Sequence, residues 1–272
     1  MLSLATSWHN RIIAIDDPKH CQFCSEPMTH YQAVAEEKPQ LFPICGCKGA
    51  RKAFEARMVL KERDLLAQKR EQDTAYRIAN CGVGKRYLDA QPQGHFKDYV
   101  MLLTLMLEQG TGIFVQGKKG TGKTYAASSV VLVAVREQYT AELISSAQLF
   151  ELLKSSFGSR DMTDSILARY QKLDLLVIDD LGKEHVTDWS ISQLFALIDW
   201  RYSNRRSTIV TTQYTGAQLV EIWRRNGDIN NGVAMLSRLN QCCDRVDMGG
   251  IDKRLGGEEI CEKNESLSLS LA

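Results

Sequence analysis

Eight residues, GKKGTGKT at Gly117–Thr124, constrain this chain more than any other feature, because few folds supply the backbone they require. They fit G-x-x-x-x-G-K-[ST], and their setting matches: the β-prone run GIFVQ precedes them and a helix-forming run, Tyr125–Gln138, follows. A triphosphate needs a cradle of backbone N–H groups that no side chain obstructs. Gly117, Gly120 and Gly122 give that access and the unusual backbone angles, and Lys118, Lys119 and Thr121 complete the loop. The helix that begins near Lys123 turns its positive end toward the phosphates. In that setting Lys123 bridges the β- and γ-phosphates and Thr124 holds Mg²⁺ through its hydroxyl.

A phosphate loop leaves hydrolysis unspecified. The second half stands at LDLLVIDD, Leu173–Asp180, an apolar strand ending in two acids. Such a strand delivers carboxylates to the edge where ligands bind in open α/β sheets. Asp179 is expected to coordinate Mg²⁺ through water, and Asp180 to orient and polarise the attacking water. Two further residues are candidates. Gln213, just past a β-branched strand at Ser207–Thr212, can reach a γ-phosphate or simply cap its strand. Arg238, in MLSRLNQ, is either an arginine finger given to a neighbouring subunit or a solvated helix arginine.

Around these motifs strand-like and helix-like segments alternate: strands at Gly112–Gln116, Ala141–Ile144, Leu173–Asp179 and Ser207–Thr212, helices at Tyr125–Gln138, Gln148–Phe157 and Ile191–Arg201. That alternation argues an α/β fold with a parallel sheet flanked by helices. At 272 residues there is room for one such core and a smaller module. The organisation expected is a cysteine-bearing module over 1–50, a charged helical linker over 51–79, the nucleotide-binding domain over 80–256 and a flexible tail over 257–272. Within Lys48–Arg70 eight basic residues face three acids, a surplus of +5, although the whole chain carries only +1. Any nucleic-acid contact must therefore be local.

The first twenty residues lack the pattern of a signal peptide, and no apolar run approaches the length of a membrane span. A cytoplasmic protein without a membrane partner is expected, with its cysteines reduced. Cys21, Cys24, Cys45 and Cys47 crowd into 27 residues, apart from Cys81, Cys242, Cys243 and Cys261. Two close pairs of thiols suit a tetrahedral structural zinc ion, and metal is what would fold so small a module. His20 and His30 stand near enough to replace one cysteine.

The order of elements over Asn80–Arg254 resembles the DnaC/DnaI/IstB-like branch of AAA+ ATPases. The resemblance rests on NCGVGKRYLDA at Asn80–Ala90, GKKGTGKT, LLVIDDLG, the run Asp179–Thr215 and SRLNQCCDRVDMGGIDKR at Ser237–Arg254. It implies an AAA+ core that hydrolyses ATP with Mg²⁺, Arg238 as the arginine finger and Arg254 as a sensor-2-type arginine. Gln213 falls where the branch has the asparagine of a Thr-Ser-Asn sensor, and Asp180 where wider AAA+ proteins have glutamate. It further implies a helicase loader that forms a homo-oligomer when ATP-bound, holds a DnaB-type replicative helicase through the zinc module, and touches single-stranded DNA. One alternative is a transposition-helper ATPase that binds duplex DNA and a transposase. Another is a DNA-binding adaptor with a slow regulatory ATPase, drawing on the basic stretch and the pairs Arg205-Arg206 and Arg224-Arg225.

Overall fold

The computed structural model describes residues 11–12, 20–27, 30–34, 40–45, 47–183, 187–226 and 229–250. The expected tail over 257–272, the thiol of Cys261 and the side chains of Arg254 and His30 lie outside what is described. The chain divides into two compact units, Met1–Gln72 and Asp73–Ala272.

In the first unit, strands β1 (Arg11–Ile12), β2 (His30–Val34) and β3 (Gln40–Ile44) form an antiparallel sheet in the order β1-β2-β3. No strand is expected in this region from its sequence, which is short and broken by prolines. Helix α1 then runs Lys48–Asn80, and its Arg51 N–H donates to the Cys47 carbonyl at 3.0 Å. Strong helix formers fill it and no proline interrupts it, but none of its residues is buried. A polar, exposed helix of this kind owes little to packing.

The second unit is built on five parallel strands: β4 (Gly112–Gln116), β5 (Ala141–Ser145), β6 (Leu175–Leu181), β7 (Ser207–Thr212) and β8 (Cys243–Asp247). Their order is β5-β6-β7-β4-β8, so β7 lies between the strand that feeds the glycine loop and the strand that ends in two acids. Helices α2 (His95–Met101), α3 (Leu103–Gln109), α4 (Lys123–Arg136), α5 (Ser146–Ser155), α6 (Arg160–Lys172), α7 (Asp188–Ser203), α8 (Gly216–Asn226) and α9 (Ile229–Cys242) flank it. The parallel α/β sheet expected from the sequence is the one observed. No helix among the described residues is long and apolar enough to cross a membrane.

Strand alternation splits the core in two. Leu175 and Val177 of β6, Ile113 and Val115 of β4, and Ile209 of β7 pack against α4 and its neighbours. Leu176, Ile178, Phe114 and Val210, one residue along, pack against helices α5 to α9. Both faces are covered, which is why β6 reads as an unbroken apolar run rather than as alternation.

Arg201 brings a charge into this shell. Arg201 of α7 is fully buried, yet every nitrogen of its guanidinium has an oxygen to meet. Nη1 donates to the carbonyls of Tyr170, Gln171 and Leu173 at 2.8, 3.1 and 2.8 Å, Nε to Thr208 Oγ1 at 3.0 Å, and Nη2 to the Ser207 carbonyl. The first three are carbonyls at the C-terminal end of α6, where a helix leaves acceptors unpaired and favours a cation. Arg201→Met keeps the volume and strands those acceptors, so we expect a loss of at least about 3 kcal/mol in denaturant unfolding; a midpoint matching the parent's would contradict this role.

Candidate functional site

The glycine loop leaves β4 at Gln116 and enters α4 at Lys123. Gly120 and Gly122 carry φ values of 77° and 95°, in the left-handed region that L side chains resist. Gly117 answers to a different demand. A Cβ there would stand 2.4 Å from the Met248 carbonyl oxygen, where the chain leaving β8 crosses beneath the loop. The Met248 N–H donates to the Gln116 carbonyl at 2.7 Å to fix that crossing. Lys123 is only 5% exposed, and its ammonium donates to the carbonyls of Gly117 and Lys118 at 2.7 and 2.8 Å. Those carbonyls hold the charge inside the loop, where phosphate oxygens are stronger acceptors.

Across the loop stands Asp179, 6% exposed. Thr124 Oγ1 donates to its two carboxylate oxygens, Oδ1 at 3.1 Å and Oδ2 at 2.9 Å, and Thr211 Oγ1 donates to Oδ1 at 2.5 Å. The carboxylate thus joins the first turn of α4, the end of β6 and the end of β7. Burial raises its pKa above the ordinary 3.8; the Thr211 bond works against this, the Asp180 charge adds to it, and the Thr124 bond opposes it again. Hard oxygens from Thr124 and Asp179, presented side by side, form a donor set that Mg²⁺ accepts.

The strand is irregular here. β6 and β7 pair at Ile178↔Val210 and next at Leu181↔Thr212, so Asp179 and Asp180 together face the single residue Thr211. This two-against-one count is a β-bulge, and it frees adjacent carboxylates from strict alternation. Asp180 takes φ 61°, an unusual value that aspartate tolerates better than most residues. Its N–H donates to Thr211 Oγ1 at 2.9 Å, and its carbonyl accepts from Ser146 Oγ at 3.0 Å. Its side chain accepts from Gln213 Nε2 at 3.3 Å and from Lys183 Nζ at 2.7 Å. Thr211 and Lys183 fall within the run Asp179–Thr215, but neither is expected to have a role from the sequence.

Lys123, Thr124, Asp179, Asp180 and Gln213 are therefore brought together at one sheet edge. Arg238 meets different groups. On α9, its Nε donates to Asp199 Oδ1 of α7 at 2.8 Å, and its guanidinium lies 5.1 Å from the Tyr202 ring centroid.

In the first unit the four cysteines converge. All four sulfurs lie within 4.8 Å of one another, with Cys21–Cys47 at 3.7 Å and Cys24–Cys45 at 3.4 Å. A tetrahedron with metal–sulfur distances of ~2.3 Å has edges of about 3.8 Å, so the spacing fits a metal ion. Cys21 and Cys24 sit in a turn closed by Ser25 N–H to the Cys21 carbonyl at 2.8 Å; Cys45 follows β3 and Cys47 precedes α1. Backbone N–H groups point at the sulfurs: Phe23 to Cys21 at 3.5 Å, Cys47 to Cys45 at 3.4 Å and Ala50 to Cys47 at 3.3 Å. The Phe23 N–H brings the Cys21 thiol down to about 7. The Glu26 N–H lowers Cys24, but its thiol neighbours, Cys45 foremost, push it up to about 12. Crowded thiols of this kind lose one proton readily and resist losing the next, a repulsion that a divalent cation relieves. His20 is exposed and is not a member of the described cluster.

A family model described as "IstB-like ATP binding protein" matches residues 56–259. The IS232 insertion-sequence ATP-binding protein of Bacillus thuringiensis subsp. berliner is 35% identical over 106 residues, 39% of this chain and 42% of that protein. The replicative helicase loader DnaC of Buchnera aphidicola subsp. Baizongia pistaciae is 28% identical over 108 residues, 38% of this chain and 44% of that protein. The chain thus spans under half the length of these two relatives. The crystal structure of DnaI superposes with a TM-score of 0.50 at 17% identity, over 60% of this chain and 93% of that one, which is a likeness of fold.

The raised pKa of Asp179 carries a stability consequence. The folded protein holds that proton more tightly than the unfolded chain, so stability falls as pH rises from 3.8 through the higher folded value. Asp179→Asn removes the buried charge. Measured without nucleotide, the variant should melt above the parent at pH 7, and the two should converge as pH falls below 3.8. ATP turnover should meanwhile drop by ~10² or more. A variant that melts below the parent at pH 7 would contradict the origin given for the shift.

Proposed function

The chain belongs to the IstB-like ATP-binding family of AAA+ ATPases, and from that premise we propose that it is a cytoplasmic, ATP-hydrolysing helicase loader. In this reading it binds a DnaB-type replicative helicase and delivers it to single-stranded DNA. The observation that carries the reading is a four-cysteine module placed ahead of an ATPase core. A module this small has little core of its own, so its worth lies in the surface it presents. A replicative helicase loader among the relatives supports the same choice.

The roles follow from the site. The loop Gly117–Thr124 cradles ATP, and Lys123 exchanges its two carbonyl partners for β- and γ-phosphate oxygens. Thr124 and Asp179 hold Mg²⁺, which supplies positive charge against the phosphates. Asp180 accepts a hydrogen bond from the attacking water, and Gln213 steadies one of its oxygens rather than reaching the phosphate itself. ATP-bound subunits assemble side by side, and Arg238 leaves Asp199 to serve the neighbouring site. Arg254 senses nucleotide from the following segment. Zinc occupies Cys21, Cys24, Cys45 and Cys47.

The insertion-sequence relative favours a second reading, in which the same ATPase binds duplex DNA and engages a transposase. The basic pairs give less support to a bare DNA-binding adaptor. Arg206 is tied to Asp174 at 2.6 Å, and Arg224 and Arg225 both pair with Glu221, at 3.4 and 3.2 Å.

Two measurements test this account. Elemental analysis should find one zinc per chain in the parent, and Cys24→Ser with Cys45→Ser should lose it along with the fold of the first unit. Iron in place of zinc, or no metal, would overturn that assignment. Pull-down with a DnaB-type hexamer should succeed with the full chain and fail for a version lacking residues 1–47 that still hydrolyses ATP. Capture of transposase and not of helicase would move the second reading to the front.

A further inference from the structure

Asp180 is gripped from two sides. Gln213, at the end of β7, donates to Oδ1 at 3.3 Å, and Lys183, from the turn after β6, meets Oδ2 at 2.7 Å. The turn is built to bring Lys183 back. Gly182 takes φ 102°, and a Cβ there would stand 2.6 Å from Leu219 and 2.7 Å from Tyr214. A side chain there would be strained by the backbone and would crowd Tyr214 and Leu219, so the chain turns against the residue that follows Gln213. Both grips on Asp180 thus come from one packed corner.

A carboxylate with one donor on each oxygen keeps further lone pairs for a water. It also loses the freedom to rotate. The Asp180–Lys183 pair is about a third exposed on each side, and a pair so solvated adds little to stability. Its consequence lies elsewhere, in the orientation of a carboxylate already fixed in backbone by the bulge.

We propose that Lys183 is a positioning residue for ATP hydrolysis: it holds the Asp180 carboxylate in the orientation that directs the attacking water. This rests on the reading that Asp180 orients that water. Lys183 touches neither nucleotide nor water in this role; it acts through Asp180. Loss of the grip should slow turnover without weakening nucleotide binding, because Lys123, Thr124 and Asp179 keep their hydrogen bonds and the Lys183 charge is the least of the influences on Asp179.

The experiment compares steady-state ATP hydrolysis by the full chain, Lys183→Met, Lys183→Arg and Asp180→Asn, with affinity read from a fluorescent ATP analogue and folding from the melting temperature. Lys183→Met should lower kcat by about tenfold and leave KM and analogue affinity within about twofold, the pattern of lost orientation. Lys183→Arg, which restores the cation, should recover most of the rate. An unchanged or raised kcat in Lys183→Met, beside a dead Asp180→Asn, overturns the role of Lys183 and leaves Asp180 in place. Full activity in Asp180→Asn overturns both. A fall in analogue affinity equal to the fall in kcat/KM assigns Lys183 to binding and likewise overturns the proposal.

Discussion

The buried carboxylate of Asp179 is the junction on which the geometry of the second unit's candidate site depends. Two threonine hydroxyls reach it, Thr124 from the first turn of α4 and Thr211 from the end of β7, so one side chain joins three separate segments. The sheet order makes this economical, because β7 stands between β4 and β6 and its last residues fall beside both motifs. Thr211 does more than bind Asp179. Its oxygen also accepts the Asp180 N–H, so a single buried hydroxyl sets the geometry of both acids. The cost is a carboxylate held in a place that resists its charge, which is where functional sites depart from the best-packed solution.

The rest of the core reads as the frame for that junction. Alternating residues of β6 and β4 anchor helices on both faces, and Arg201 ties the end of α6 to the start of β7 through backbone carbonyls and the Thr208 hydroxyl. Strand ends held from both sides give the loop and the bulge a fixed platform. The positive φ of Asp180 persists because the surroundings over-determine it.

Much of this was legible in the sequence, for identifiable reasons. β4 and β7 occupy the runs GIFVQ and STIVTT, since parallel strands buried on both faces show as short apolar or β-branched runs between turns. The loop declared itself by its glycines, and the four thiolates by their spacing. Several elements that were missed lack such patterns. β8, CDRVD, buries only its first residue at the sheet's edge, and α6 is a polar helix with three buried residues. The antiparallel strands before α1 are short and precede any strong periodicity. The bulge at Asp179–Asp180, the double role of Thr211 and the return of Lys183 come from tertiary packing around Gly182, which neither spacing nor composition encodes.

Helicase loading, the function proposed for this chain, can be observed as an event rather than as an affinity. A closed circular single strand offers no end to thread, so a helicase ring found on it has been opened and placed there. The decisive measurement is the amount of DnaB-type hexamer retained on such circles after removal of free protein, with the parent chain and ATP. The account predicts retention that requires this protein and is absent with Lys123→Ala. Retention equal with and without the protein, or none under any nucleotide condition, would contradict it.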